Sequence, residues 1–296
     1  MTLPSIQKST IVRATNRLVY ASIRAGFRAA EVVAPRIGAA VAEWLWWRVP
    51  APPRARPFTP PGERFQLDVS GSTVVGRIWG NQAGASETVY LLHGWGGRMT
   101  QFAKLVPALL AEGFQVVALD APSHGESGPG RWGARRASIP EFADALTTAV
   151  AAHGPAYAVI AHSLGCPAVG IALRDGLAAK RLVFLAPAGR PSAYTHQFAR
   201  RVGFGERIRQ RMQRRLEERV GLPIRHFDLP ELATELAVPP LLVLHDRADR
   251  ETRYADGAAI TETWPGSRLV PTEGLGHNRI LADADVIEEA VAHLTG

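Results

Sequence analysis

The chain has 296 residues, is 46% apolar and 21% charged, and carries a formal net charge of +7. A single cysteine, Cys166, rules out an intrachain disulfide framework and a cysteine-rich metal site. The charge is local. Residues 1–56 hold nine basic residues (Lys8, Arg13, Arg17, Arg24, Arg28, Arg36, Arg48, Arg54, Arg56) against Glu31 and Glu43, and the remainder balances, which argues against a nucleic-acid-binding main domain.

In chain order, Arg13, Arg17, Arg24 and Arg28 fall on one face of a predicted helix, with Val12, Val19, Ile23 and Phe27 largely off it. Pro35 interrupts that helix. A second apolar stretch, "RIGAAVAEWLWWRVP", leads into a proline-rich linker. Charges interrupt any run long enough to span a bilayer or to serve as a signal peptide. Two readings of this arm stay open. It is an interfacial helix pair, with arginines on anionic lipid and Trp44, Trp46 and Trp47 at headgroup level, or it packs on its own domain or a second copy of the chain. The expected location is cytoplasmic, and the first reading would hold the protein peripherally at the inner membrane face.

From residue 63 the pattern alternates. "RFQLDVS" and "STVVGRIW" read as an antiparallel pair around Gly71. Then follow "ETVYLLHG" (strand), 100–112 (helix), "FQVVALD" (strand), 139–152 (helix, with Ser138 as cap), "AYAVIAHS" (strand), 164–175 (helix) and "RLVFLAP" (strand). After residue 238 come "PPLLVLHD" (strand), 252–262 (helix), "SRLVPTEG" (strand) and 279–294 (helix). This predicts an α/β fold with a mainly parallel central sheet flanked by helices. Residues 189–237 break the rhythm with apolar positions mostly four apart among arginines, which reads as a helical cap. The expected organisation is an arm and linker (1–62), a core (63–188 and 238–296) and the cap (189–237).

Ligands in such sheets bind beyond the carboxyl ends of the strands, and four stretches fall there. "AHSLG" places Ser163 between a strand and a helix, with small residues on either side. "HGWGG" is a glycine-rich turn, and the N–H groups of Trp95 and Leu164 can form an oxyanion hole. "LHDRADRE" offers two carboxylates, Asp246 and Asp249, and "GLGHNR" presents His277 on a short loop. A serine hydroxyl needs a base near neutral pKa, and an imidazole needs a carboxylate to fix its tautomer.

These residues, with "DAPSHGESG" (120–128), resemble the α/β-hydrolase superfamily in its cap-bearing esterase/lipase-like branch, from about residue 63 to 294. The resemblance implies Ser163 as nucleophile, His277 as general base and then acid, and Asp249 rather than Asp246 as the orienting carboxylate. Trp95 and Leu164 carry over as oxyanion donors. Ala161 stands where the family pattern has glycine, and Asp246 takes the place of another family glycine. The implied reaction is hydrolysis of a small-molecule carboxylic ester through an acyl-enzyme, with no metal or organic cofactor and no nucleic-acid partner. Acyl transfer or thioester hydrolysis on lipid-like chains at a membrane surface is the alternative, and a catalytically silent binding module a third. His93 reads as structural or loop-orienting, His162 as structural, and Cys166 as a small buried filler. No substrate-binding residue is assigned.

Overall fold

A computed structural model describes residues 21–51, 57–80 and 87–296. Val12, Arg13, Arg17 and Val19, on which part of the arm reading rests, lie outside them, as do Arg54 and Arg56 of the linker. The chain divides into two compact units. One holds the described residues 21–46 with 192–224; the other holds 47–191 with 225–296.

The larger unit is built on one eight-stranded sheet: β1 (Glu63–Val69), β2 (Ser72–Trp79), β3 (Thr88–Leu92), β4 (Gln115–Asp120), β5 (Ala156–His162), β6 (Ala179–Leu185), β7 (Leu241–Asp246) and β8 (Ser267–Thr272). The spatial order is β1-β2-β4-β3-β5-β6-β7-β8. β1 and β2 form a hairpin whose turn uses positive φ at Ser70 (53°) and Gly71 (84°). β2 pairs antiparallel with β4, and every later pairing is parallel. β3 to β7 are apolar because helices cover both of their faces. Val89 and Leu91 of β3, Ile160 of β5 and Leu242 of β7 share one core cluster with Leu105, Leu109, Val286 and Leu294. Those last four belong to α3 (Leu105–Ala111) and α11 (Ala284–Thr295). On another layer α4 (Ile139–His153) packs on α5 (Gly165–Arg174), α5 on α8 (Leu229–Glu235), and α8 on α9 (Tyr254–Thr263).

Three local expectations change. The helix expected at 100–112 is a 3-10 turn at Met99–Phe102 followed by α3. Ser138 does occupy the N-cap position of α4, but its hydroxyl donates to Glu141 (2.8 Å) instead of capping a backbone N–H. The helix expected at 279–294 is split into α10 (Gly276–Arg279), a 3-10 turn at Ile280–Ala282, and α11, which starts where Asp283 accepts from Val286 N–H. A true N-cap aspartate there begins a new helix.

The smaller unit joins two segments far apart in sequence. α1 (residues 21–33) and α2 (Pro35–Trp46) are nearly continuous, since Ala34 N–H reaches Ala30 O and Gly38 N–H reaches Ala34 O, both at 3.0 Å. Pro35 has no N–H to offer Glu31, and Arg207 Nη1 stands 3.5 Å from the carbonyl this leaves. α6 (Pro191–Val202) leads to α7 (Glu206–Val220), which packs on α2. A Cβ on Gly38 would sit 2.4 Å from Ile208 Cδ1, so glycine sets how closely those two helices approach. The Glu31 carboxylate accepts from the N–H groups of Gly205, Arg207 and Ile208 and caps α7 from a different helix. Glu43, buried, accepts from Arg215 Nε (2.5 Å) and Arg219 Nε (2.6 Å).

Candidate active site

Ser163 follows the last residue of β5 and precedes α5 by one residue. Its φ is 53°, a left-handed conformation that L-residues avoid, and it marks the sharp turn from strand to helix. The turn is tied down on both sides: Ser163 N–H bonds Leu185 O (3.0 Å), and Ser163 O accepts from Cys166 N–H and Ala188 N–H (both 3.1 Å). Its neighbours must be small. A Cβ on Gly165 would lie 2.7 Å from the carbonyl oxygens of Leu92 and His93, and one on Gly94 would lie 2.6 Å from Ser163 Cβ. Ala161, the departure from the glycine pattern, is fully buried.

His277 lies in α10, reached through Gly274 and Gly276 with φ of 76° and 64°. Its Nε2 is 3.0 Å from Ser163 Oγ and its Nδ1 is 2.8 Å from Asp249 Oδ2. The ionised carboxylate accepts a hydrogen bond from Nδ1–H, which fixes the proton on that nitrogen and leaves Nε2 as the acceptor facing the serine. Serine, histidine and Asp249 therefore form one continuous hydrogen-bonded chain.

Asp249 is held from every side. Oδ1 accepts from Glu251 N–H (2.7 Å) and Thr252 N–H (3.1 Å), and Oδ2 accepts from Thr252 Oγ1 (2.9 Å) as well as from His277. His245 faces it at 3.6 Å, beyond a full hydrogen bond, and lies 3.3 Å from Thr252 Oγ1. Burial alone would raise the pKa of Asp249. The nearby His245 ring, the His277 ring N–H and charge, and Glu251 N–H outweigh it and hold the carboxyl below the usual range.

Asp246 does something else. It ends β7 and accepts from Ala248 N–H (2.9 Å), Leu275 N–H (2.8 Å) and Thr272 Oγ1 (3.0 Å). It thereby pins the loop that carries Asp249 to the loop that carries His277. Burial pushes its pKa up, but those hydrogen bonds prevail and lower it.

Four further side chains position this machinery. His162 Nε2–H donates to the backbone carbonyl of His277 (2.9 Å), with ring centroids 4.6 Å apart. Its pKa is pushed down to about 3, first by burial and then by His277, so it remains a neutral strut. His93 Nε2 accepts from Ala121 N–H (3.0 Å) while its Nδ1 lies 2.7 Å from Gly94 O, and burial lowers its pKa to about 4. His124 Nε2 accepts from Gly96 N–H (3.0 Å) and packs edge-on to Trp95. Burial and the neighbouring His93 lower its pKa to about 3. The turn bearing Trp95 is thus gripped at Gly94 by His93 and at Gly96 by His124. Asp120, buried at the end of β4, accepts from Met99 N–H (2.6 Å) and Glu126 N–H (2.7 Å), and a Cβ on Gly125 would collide with its carboxylate.

The residues singled out in sequence come together as far as this hydrogen-bonded chain is concerned: Ser163, His277 and Asp249 are in hydrogen-bond contact. Trp95 and Leu164 flank the serine, one beside Gly94 and one next in chain to Ser163, and both are half-buried. Sequence reading did not single out His124, His245 or Thr252. The one available signal for His245 and Thr252 is their proximity to Asp249 in "LHDRADRET". Among the described residues no cluster of histidine, cysteine and carboxylate side chains could hold a metal ion.

The family model described as "Alpha/beta hydrolase family" matches residues 89–290. A stretch of 102 residues is 36% identical to the dihydrolipoyllysine-residue acetyltransferase component of the acetoin cleaving system of Cupriavidus necator; it covers 33% of this chain and only 25% of that protein. Among solved structures, the chain is similar to esterase RhEst1 from a Rhodococcus species (19% identity, TM-score 0.58, 78% of this chain and 98% of that one). It is also similar to mouse alpha/beta hydrolase domain-containing protein 10 (14%, TM-score 0.60, 78% and 96%). A bacterial membrane phospholipase A aligns at 14% identity and TM-score 0.60 over 98% of this chain and 96% of its own. With an eight-stranded sheet, a serine on a strained strand-to-helix turn and a family match over residues 89–290, the chain belongs to the alpha/beta hydrolase family.

Proposed function

We propose that the chain is a serine hydrolase that cleaves carboxylic esters through an acyl-enzyme. The observation that carries this is the hydrogen-bonded series Asp249–His277–Ser163, at 2.8 and 3.0 Å, ending on a hydroxyl held at positive φ. Ser163 Oγ attacks the ester carbonyl carbon and gives its proton to His277 Nε2. The carbonyl oxygen takes the electron pair and rests on the N–H groups of Trp95 and Leu164, the second at the start of α5, where backbone donors and the helix dipole favour negative charge. The tetrahedral centre collapses, and His277 protonates the departing alkoxide to release an alcohol. Water then gives a proton to His277 and attacks the acyl-enzyme; the carboxylate leaves and Ser163 recovers its proton. Asp249 holds the Nδ1 tautomer throughout and stabilises the imidazolium.

That two of the similar structures are named an esterase and a phospholipase A supports the ester class. The test is turnover of p-nitrophenyl esters from acetate to palmitate. The expected outcome is hydrolysis that Ser163→Ala reduces by at least about 10³-fold in kcat. Turnover that survives Ser163→Ala would remove the proposal. Analysis of products with an added alcohol or an acyl thioester separates hydrolysis from acyl transfer.

A further inference from the structure

α2 is inside out for a helix of a soluble protein. The face it turns to α7 is small, with Gly38, Ala39 and Ala42 buried beside Glu43. The face it turns to solvent is large and apolar: Ile37 is 67% exposed, and Val41 and Trp44 are each 44% exposed. Spaced four and three apart, these three share one stripe. α1 continues the pattern with Val32 and Val33, exposed at 72% and 79%. Together with Ile23, these are the exposed large apolar side chains of all the described residues. Burial should have selected the opposite arrangement, and a concentration of this kind marks a surface made for something else.

Charge decides what. Residues 21–46 and 192–224 hold eleven basic and five acidic residues, while 47–191 and 225–296 hold twenty and twenty-two. The positive charge thus sits in the unit that carries the apolar face. Arg28, one turn before Val32, and Arg36, next to Ile37, are exposed at the border of the stripe. A second copy of the chain would bring like charges together around the contact. An anionic lipid surface satisfies both features: the apolar side chains enter the acyl boundary and the arginines meet headgroup phosphates. Among the described residues no helix is long and apolar enough to cross a membrane, so this face would lie on the bilayer rather than span it.

We infer that the outer face of α1 and α2 is an interfacial binding surface for anionic phospholipid bilayers. The tryptophans divide differently from the sequence expectation. Trp44 belongs to this surface. Trp46 is half-buried and packs edge-on against Phe198, and Trp47 is buried and stacked on Trp132. Arg28 and Arg36 border this apolar face rather than forming it, whereas Arg24 donates to the carbonyl of Arg200.

The test is cosedimentation of the full chain with vesicles of phosphatidylcholine alone and of an equimolar mixture with phosphatidylglycerol. Binding is expected to the mixture and to fall with added salt. The exposed pair Ile37→Glu with Val41→Glu should weaken it about tenfold or more. Arg28→Gln with Arg36→Gln should weaken it by roughly fivefold for each arginine. Unchanged melting temperatures establish that the variants fold. Ser163→Ala should bind like the wild type, so the result stands whatever reaction the chain performs. No binding to the mixture, or equal binding to both vesicles, overturns the inference. So does a dimer in sedimentation velocity that Ile37→Glu with Val41→Glu dissociates while no vesicle is bound, which would assign the face to a second copy.

Discussion

Asp246 and Asp249 stand three residues apart at one strand end, equally acidic in sequence, and their surroundings separate them. Asp249 contacts the imidazole; Asp246 spends its oxygens on Ala248, Thr272 and Leu275. Asp249→Asn should therefore lower kcat by about 10⁴-fold, because an amide no longer enforces the Nδ1–H tautomer. Asp246→Asn leaves the hydrogen-bonded series chemically intact and only loosens two loops, and a loss of about 100-fold or less is expected. Steady-state kinetics on one soluble ester checks both, and the reverse ranking would exchange their roles. At this scale Ser163, His277 and a carboxylate were legible because each sits just beyond an apolar run. Thr252, which bridges Asp249, His277 and His245 through one hydroxyl, was not, since its value comes from contacts 25 and seven residues away in sequence.

The helices show where periodicity stops being informative. The spacing in α2 announces a helix with apolar residues on most sides, and only packing on α7 shows which side is covered. Glu43 is the sharpest case. Its side chain is 4% exposed, whereas Arg215 and Arg219 are 44% and 42% exposed. Removing the acid releases two arginines that can return to water, so Glu43→Gln should cost about 1 kcal/mol. Removing both arginines strands a buried carboxylate, so Arg215→Ala with Arg219→Ala should cost about 3 kcal/mol or more. Urea unfolding of the two variants tests the asymmetry, and equal costs would mean that Glu43 escapes to solvent. The same scale explains why arm and cap read as separate pieces in sequence. Glu31 caps a helix whose first turn lies more than 170 residues away, and no local pattern announces that partner.

For the whole molecule, the buried histidines make stability depend on pH. His93, His124 and His162 have pKa values lowered from 6.5 to about 4, about 3 and about 3, with burial as the leading cause in each. Below 6.5 the unfolded chain binds protons that the folded chain refuses. Stability is thus complete above that pH and is lost as pH falls towards 4, by up to about 1.4 kcal/mol per pH unit for each histidine. Asp120 and Glu141, whose pKa values burial raises, offset part of this at the acid end. Urea melts from about pH 8 to about pH 5 should show the decline. His162→Gln should reduce its slope by one histidine's share, and a flat profile would mean that these rings are protonated in the folded state.

The sequence by itself determined the alternation of strands and helices, the hairpin at the start of the sheet and the strand ends where a hydroxyl, an imidazole and a carboxylate stand. These follow from local physics: the period of apolar side chains, the freedom of glycine and the need for reactive groups to lie outside a packed core. Only the tertiary structure decided that Asp246 ties two loops together, that His124 joins His93 and His162 as a neutral strut, and that α2 packs on α7 through its small residues. Those outcomes depend on distances between residues up to 176 positions apart, and hydrogen bonding and close packing are settled in space, not along the chain.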